Sequence, residues 1–357
     1  SSIAAGLPRG MDEFIAARLL GGVAVGVASM LAPLYIAENS PPRIRGRLVA
    51  FNQMAIVSGI LLAYLVNWLL AGIGANAWRW MFAVAAIPAL LFWVAMMFVP
   101  ESPRWLIKQG RHEESMVILS RLLGPVEAKA EFEDIRQTVS EEENSLRVLL
   151  QPGFRWPLII AVTLAILQQI TGVNTVLYYG ALIFKEQVGE QSRTAAIGVN
   201  VIVGVVNVFA TIIALWIIDK VGRKPLLLVS SGGMGVALVF LGLAFRQTPP
   251  PAAVVQAVML CYVFCFAIGL GPAVWVLMSE LFPTRIRGRA MAIATVCLWL
   301  ACLLLTSTFL SLVSAISPTG TFWLYAGICF FTFLFIWMWT PETKGKTLEQ
   351  IERMWKR

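Results

Sequence analysis

Charge is scarce in this chain. Asp, Glu, Lys and Arg supply only 13% of its 357 residues, hydrophobic residues supply 58%, and the mean hydropathy is +0.76. A soluble domain carries about 25% charged residues, so a water-soluble globular enzyme is the wrong class. Histidine is almost missing. His112 is the single one, it lies in a charged stretch, and no metal-ligand or catalytic partner stands beside it. Cys261, Cys265, Cys297, Cys302 and Cys329 all fall in apolar runs without metal-ligand spacing and read as small packing residues. Gly232, Gly233 and Gly235 follow a basic loop but no strand, which excludes a phosphate-binding turn. Ser1–Leu7 is too short, and lacks the basic start, for a secretory signal. No metal, no cofactor and no enzymatic activity is expected.

What the chain has instead is long apolar runs. Nine can be drawn, at about 14–37, 48–70, 78–99, 157–184, 194–218, 225–245, 254–281, 290–314 and 321–340. About 20 apolar residues span a bilayer as a helix. The runs are continuous rather than alternating, which argues against a β-barrel. An all-α polytopic membrane protein is expected, with the lipid bilayer as its surroundings. The formal charge of +8 then needs no nucleic acid. The basic residues gather in alternate loops, around Arg43, Arg45 and Arg47, through 101–156, at Lys220, Arg223 and Lys224, at Arg285, Arg287 and Arg289, and after Pro341. Positive charge marks the cytoplasmic side, so the 101–156 linker and the C-terminus are expected there.

One stretch is written twice. Glu38–Arg47 reads ENSPPRIRGR and Glu280–Arg289 reads ELFPTRIRGR. Pro100 begins PESPR and Pro341 begins PETKG, which keeps nearly the same offset of about 242 residues. Two homologous halves follow. The half from Trp156 onward has six runs and the half before it has three, so three N-terminal spans are expected to be missing. The expected division is an incomplete helix bundle at 1–100, a linker at 101–156, a six-helix bundle at 157–340 and a tail at 341–357. Two amphipathic helices fit the linker, about 110–123 and 127–143. Their apolar stripes are Met116, Leu119 and Leu122 or Leu123, then Phe132, Ile135 and Val139.

Polar side chains inside a membrane are costly and each needs a reason. The densest group surrounds Gln168. At about 100° per residue, Gln168, Thr175 and Tyr179 share a helix face, whereas Gln169 and Asn174 splay to either side. Gly172 lies between the amides and is placed to loosen the helix there. Amides offer donors and acceptors alike, which suits a neutral polyhydroxylated ligand. They also serve helix–helix hydrogen bonding, and the residues alone leave both readings open.

The motifs ENSPPRIRGR, PESPRW, QQITGVNTVLYY (Gln168–Tyr179), DKVGRK (Asp219–Lys224), GPAVW (Gly271–Trp275), SELFPTRIRGR and PETKGKTLE together resemble the sugar porter family of the major facilitator superfamily. The likeness is greatest to bacterial pentose and hexose symporters of the xylose–proton type, and it runs in order from about Arg18 to Glu352. The resemblance implies a major facilitator fold in which this chain supplies nine of twelve spans, the fourth to the twelfth. It implies a multi-pass protein of the bacterial inner membrane that moves a monosaccharide by alternating access, with a proton as second partner. A facilitator, or a non-transporting sensor or truncated paralogue, is the alternative. Gln53, Gln168, Gln169, Asn174 and Trp275 are the substrate-binding residues it implies, with Asn207, Tyr178 and Tyr179 as further candidates, Tyr178 as an outer gate. Arg18 is the implied proton-coupling partner. Glu38, Arg45, Arg104, Asp219, Arg223, Glu280, Arg287 and Glu342 lie at cytoplasmic span ends, alternate in sign, and are expected to pair between the halves. Relatives place an amide where this chain has Leu298, before Trp299. That departure bears on which sugar is taken.

Overall fold

The structure is a computed structural model. It describes every residue except 41–44, 141–148, 150, 152, 184, 186–192, 345–350 and 352–357. Fifteen helices account for the regular structure, with no strand among the described residues. They are α1 (Ser2–Gly6), α2 (Met11–Glu38), α3 (Arg45–Leu70), α4 (Ala77–Ala83), α5 (Ala86–Met96), α6 (Pro103–Lys108), α7 (His112–Leu123), α8 (Pro125–Ser140), α9 (Arg155–Ile170), α10 (Val173–Leu182), α11 (Arg193–Val221), α12 (Arg223–Ala244), α13 (Ala252–Ile268), α14 (Leu270–Glu280) and α15 (Thr284–Trp339).

Several of these are halves of one membrane crossing. α4 and α5 together form one apolar span, Ala77–Met96. Pro88, near the start of α5, has no N–H to give the carbonyl four residues back, which interrupts the helix between them. α9 and α10, and α13 and α14, are likewise single crossings with a break inside. α15 shows the opposite case. An unbroken helix of its 56 residues would run about 84 Å, far beyond a hydrocarbon core of about 30 Å. Ile316 and Ser317 leave helical geometry, Ser317 at φ 66°, just ahead of Pro318. The break divides α15 into two crossings. Eight apolar helical segments are long enough to span, and this division makes nine among the described residues, at the positions expected from the sequence.

The chain forms two compact units. One comprises Ser1–Asn52, Leu70–Ser145 and Thr284–Gly288; the other comprises Gln53–Leu69, Leu146–Pro283 and Arg289–Arg357. In the first, α1 packs on α2 and α4, and α6, α7 and α8 pack on one another. The α6–α8 group has a core of its own from Ile107, Leu119, Ala128, Phe132 and Ile135, flanked by Met116, Leu123 and Val139. Both linker stripes read from the sequence are therefore real, with Leu123 rather than the exposed Leu122 turned inward. In the second unit, α13 packs on both α11 and α12, and α14 on α9 and α12.

The repeat is visible as chemistry. In the first unit Ser102 Oγ donates to Glu38 at 2.5 Å. In the second, Thr343 Oγ1 donates to Glu280 at 2.6 Å. Glu38 and Glu280 are counterparts in the repeated stretch, as are Ser102 and Thr343 in PESPR and PETKG. The same hydroxyl–carboxylate clasp thus closes the same corner of each half.

Candidate functional site

Two helix breaks meet at the Gln168 group. α9 ends at Thr171, and Gly172 follows at φ 98°, a left-handed conformation that side chains rarely adopt. A Cβ on Gly172 would also stand 2.7 Å from the Tyr325 ring. The freed carbonyl of Thr171 is not left bare: Tyr262, fully buried on α13, donates its hydroxyl to it at 2.9 Å. The second break separates α13 from α14 at Gly269. There the Leu270 N–H donates to Ser230 Oγ on α12 at 3.0 Å.

The break at Gly172 does what the periodicity required, since it brings the splayed amides together. Gln168 Nε2 donates to the carbonyls of Leu270 at 2.7 Å and Gly271 at 3.2 Å. Gln169 Nε2 donates to Gln168 Oε1 at 3.3 Å. Asn174 Nδ2 donates to Gln169 Oε1 at 2.5 Å and to Cys302 Sγ at 3.2 Å. The direction of this relay is fixed by its anchor. Backbone carbonyls only accept, so Gln168 must turn its NH2 toward them, and each amide behind it is then oriented in turn. Gln168 is spent as a brace. Two groups have no partner among the described residues, the second N–H of Gln169 and the Oδ1 of Asn174, one a donor and one an acceptor. Gln168 and Gln169 are buried and Asn174 half-buried.

The remaining candidates are placed less closely. Tyr179 donates its hydroxyl to the Thr306 carbonyl at 3.0 Å and stacks at a tilt on Phe309, with ring centroids 5.2 Å apart. Trp275 is half-buried on α14, one turn beyond Gly271. Asn207 is buried on α11, Gln53 is half-buried on α3, and Tyr178 is exposed. No described hydrogen bond joins Trp275, Asn207 or Gln53 to the relay. Arg18 is exposed on α2, with its guanidinium 5.2 Å from the centre of the Phe82 ring. Leu298 is 2% exposed and lies one turn before Cys302, so the two share a face of α15.

The cytoplasmic charges form a tight group in the second unit. Arg223 makes a two-pronged pair with Glu280, Nη2–Oε1 at 2.8 Å and Nε–Oε2 at 3.2 Å, and a further contact to Asp219 at 3.1 Å. Glu342 accepts the backbone N–H groups of Arg223 and Lys224, at 3.1 and 2.9 Å. Gly222, at φ 104°, permits this, because a Cβ there would sit 2.6 Å from the Glu342 carboxylate. Burial pushes the Glu342 carboxyl up, but hydrogen bonds from four backbone N–H groups outweigh it and hold it below the ordinary carboxylate value. The sequence reading expected pairing between halves. The described pairs of Asp219, Arg223, Glu280 and Glu342 instead join helix ends within one unit, and Glu38 is held by Ser102 within the other. Arg104 and Arg287 are half-buried on α6 and α15. The Arg45 side chain lies outside the described residues.

Three side chains that shape the site are not evident in the sequence. Cys302 was read as packing, yet it receives a hydrogen bond from a site amide. Its spacing of four from Leu298 was the available clue. Ser230 and Tyr262 carried no clue, since a buried hydroxyl shows its partner only in three dimensions.

Residues 1–355 match the sugar (and other) transporter family. The chain belongs to that family. It is 42% identical over 358 residues to the D-xylose–proton symporter of Escherichia coli strain K12, an alignment taking in 97% of this chain and 72% of the relative. It is 36% identical to the arabinose–proton symporter of Bacillus subtilis strain 168, over 99% of this chain and 78% of that one. Among solved structures it is similar to the proton:xylose symporter XylE of E. coli bound to 6-bromo-6-deoxy-D-glucose. That likeness has a TM-score of 0.84 and 41% identity and covers 96% of this chain and 74% of the other. The matches take in nearly the whole of this chain and 72–78% of the relatives' own lengths. As a member of this family the protein is a multi-pass membrane transporter of sugars with the major facilitator fold, and it is not an enzyme.

Proposed function

We propose that this transporter carries a pentose or hexose together with a proton across the bacterial inner membrane, by alternating access about a site at the Gly172 break. The observation that carries the reading is the directed amide relay. Its unused pair, an N–H on Gln169 and an oxygen on Asn174, matches a sugar hydroxyl or two adjacent ones, which accept and donate at once. A purely structural amide cluster would close on itself; this one ends open. Trp275, Asn207, Gln53 and Tyr178 complete the proposed site, Trp275 offering an aromatic face to a sugar ring. Tyr179 supports its wall by holding α10 to α15. Arg18 serves as the proton-coupling residue and the clasped charges as the cytoplasmic gate, with the linker and C-terminus on the cytoplasmic side. The names of the relatives at 36–42% identity favour pentoses and a proton partner.

The test is titration calorimetry of the purified protein with D-xylose, L-arabinose and D-glucose. It is paired with a pH electrode outside proteoliposomes during sugar addition. Binding of at least one sugar, with alkalinisation of the medium as protons enter, is expected. No binding of any of the three contradicts the site; binding and uptake without proton movement contradict the coupling alone.

A further inference from the structure

We propose that Cys302 is a positioning residue for the sugar site, its thiol taking the second N–H of Asn174 and so holding the Asn174 Oδ1 toward the ligand. The proposal rests on the sugar-binding reading of the relay.

The geometry is specific. Asn174 Nδ2 has two hydrogens. One goes to Gln169 Oε1 at 2.5 Å and the other to Cys302 Sγ at 3.2 Å, inside the range for a sulfur acceptor. With both N–H groups engaged, the amide cannot swing about its last bond without giving up one of them. Cys302 itself is fixed. It is 5% exposed, on the face of α15 that also carries Leu298, Leu305 and Phe309, all at most 4% exposed. Phe309 packs on Tyr179, five residues past Asn174, so this face of α15 meets α10 at two levels.

A packing role alone does not account for this. Cys261 is exposed, Cys297 half-buried and Cys329 buried. Cys302 differs in receiving a donor from the site. Sulfur is a weak acceptor, which holds the amide without competing strongly for it. A serine hydroxyl can take the same N–H while donating its own hydrogen to the carbonyl four residues back in the helix. An alanine or valine leaves the N–H unpaired.

The experiment measures D-xylose binding, with L-arabinose and D-glucose in parallel, for the parent protein, Cys302→Ala, Cys302→Val, Cys302→Ser, Asn174→Ala and the Asn174→Ala/Cys302→Ala double variant. Cys302→Ala and Cys302→Val are expected to weaken binding about tenfold, the effect of one lost buried hydrogen bond. Cys302→Ser should return it to within about threefold of the parent. On the Asn174→Ala background, Cys302→Ala should cost nothing further. Unchanged binding in Cys302→Ala, or a loss that adds in full to that of Asn174→Ala, overturns the proposal while leaving the site intact. A loss in Cys302→Val alone assigns the position to volume and also overturns it. If Cys302→Ala folds poorly, the near-isosteric Val and Ser pair decides the outcome. If Asn174→Ala binds as the parent does, the sugar-site reading fails, and this proposal with it.

Discussion

Gln168 and Gln169 are neighbours with the same side chain, and the structure gives them different work. Gln168→Leu keeps the volume and removes three hydrogen bonds: two to the Leu270 and Gly271 carbonyls and one from Gln169. The Gln169 N–H then lacks a partner in a buried site, while the Leu270 and Gly271 carbonyls, at the start of α14, keep their intrahelical donors and lose only the bond from Gln168. One unsatisfied buried group costs about 1–3 kcal/mol, and the lost bonds to α14 add to it. Most of that falls on the folded state itself, because the bond across to α14 is present without ligand. Gln169→Ala removes a group facing the ligand and both relay bonds that pass through it, to Gln168 and from Asn174; the lost ligand bond alone is worth about 1–1.5 kcal/mol, or about tenfold in affinity. The assay is thermal unfolding in detergent beside calorimetric sugar binding, on the same preparations. Gln168→Leu should lower both the midpoint and the affinity. Gln169→Ala should lower affinity while lowering the midpoint less than Gln168→Leu does, because no described bond runs from Gln169 across to α14. A Gln168→Leu protein as heat-stable as the parent refutes the brace, and a Gln169→Ala protein of parental affinity refutes the ligand-facing N–H.

Other outcomes follow from the same geometry. Leu298→Gln should strengthen binding of at least one pentose or hexose, because the side chain shares the Cys302 face and an amide there would add a hydrogen-bonding group; a flat response over a sugar panel removes the position from the site. Arg223→Met breaks a pair that is 11% and 26% exposed on its two sides. Thermal unfolding should register a loss of about 1–3 kcal/mol, between the values for exposed and buried pairs. The Glu342 pKa is lowered in the folded state, so its contribution is present above the ordinary carboxylate value and is lost as pH falls through the lowered one. Parental stability should therefore decline more steeply on acidification below the ordinary carboxylate value than that of Glu342→Gln, and parallel curves would contradict a stabilising role for the Glu342 carboxylate.

The fold was legible because membranes enforce a plain code. Continuous apolar runs, with basic loops between them, gave nine crossings. The division of α15 at Ser317–Pro318 was legible for the same reason, since 56 helical residues do not fit a bilayer. The amide group was legible from cost alone, as was the break at Gly172, because an intact helix could not gather Gln169 and Asn174. What the sequence hid was partnership. Gln168 looks identical to Gln169, and only the Leu270 and Gly271 carbonyls, about a hundred residues away, tell a brace from a ligand contact. Alternation in sign among Asp219, Arg223, Glu280 and Glu342 pointed to pairing, but it did not say whether the pairs lie within a half or between halves.

The most direct test of the central claim is uptake of labelled D-xylose into proteoliposomes with an imposed proton gradient, comparing the parent with Asn174→Ala. The account predicts saturable uptake by the parent, stimulated by the gradient and competed by unlabelled sugar, and strongly reduced in the variant. Equal uptake by the parent and Asn174→Ala would contradict it.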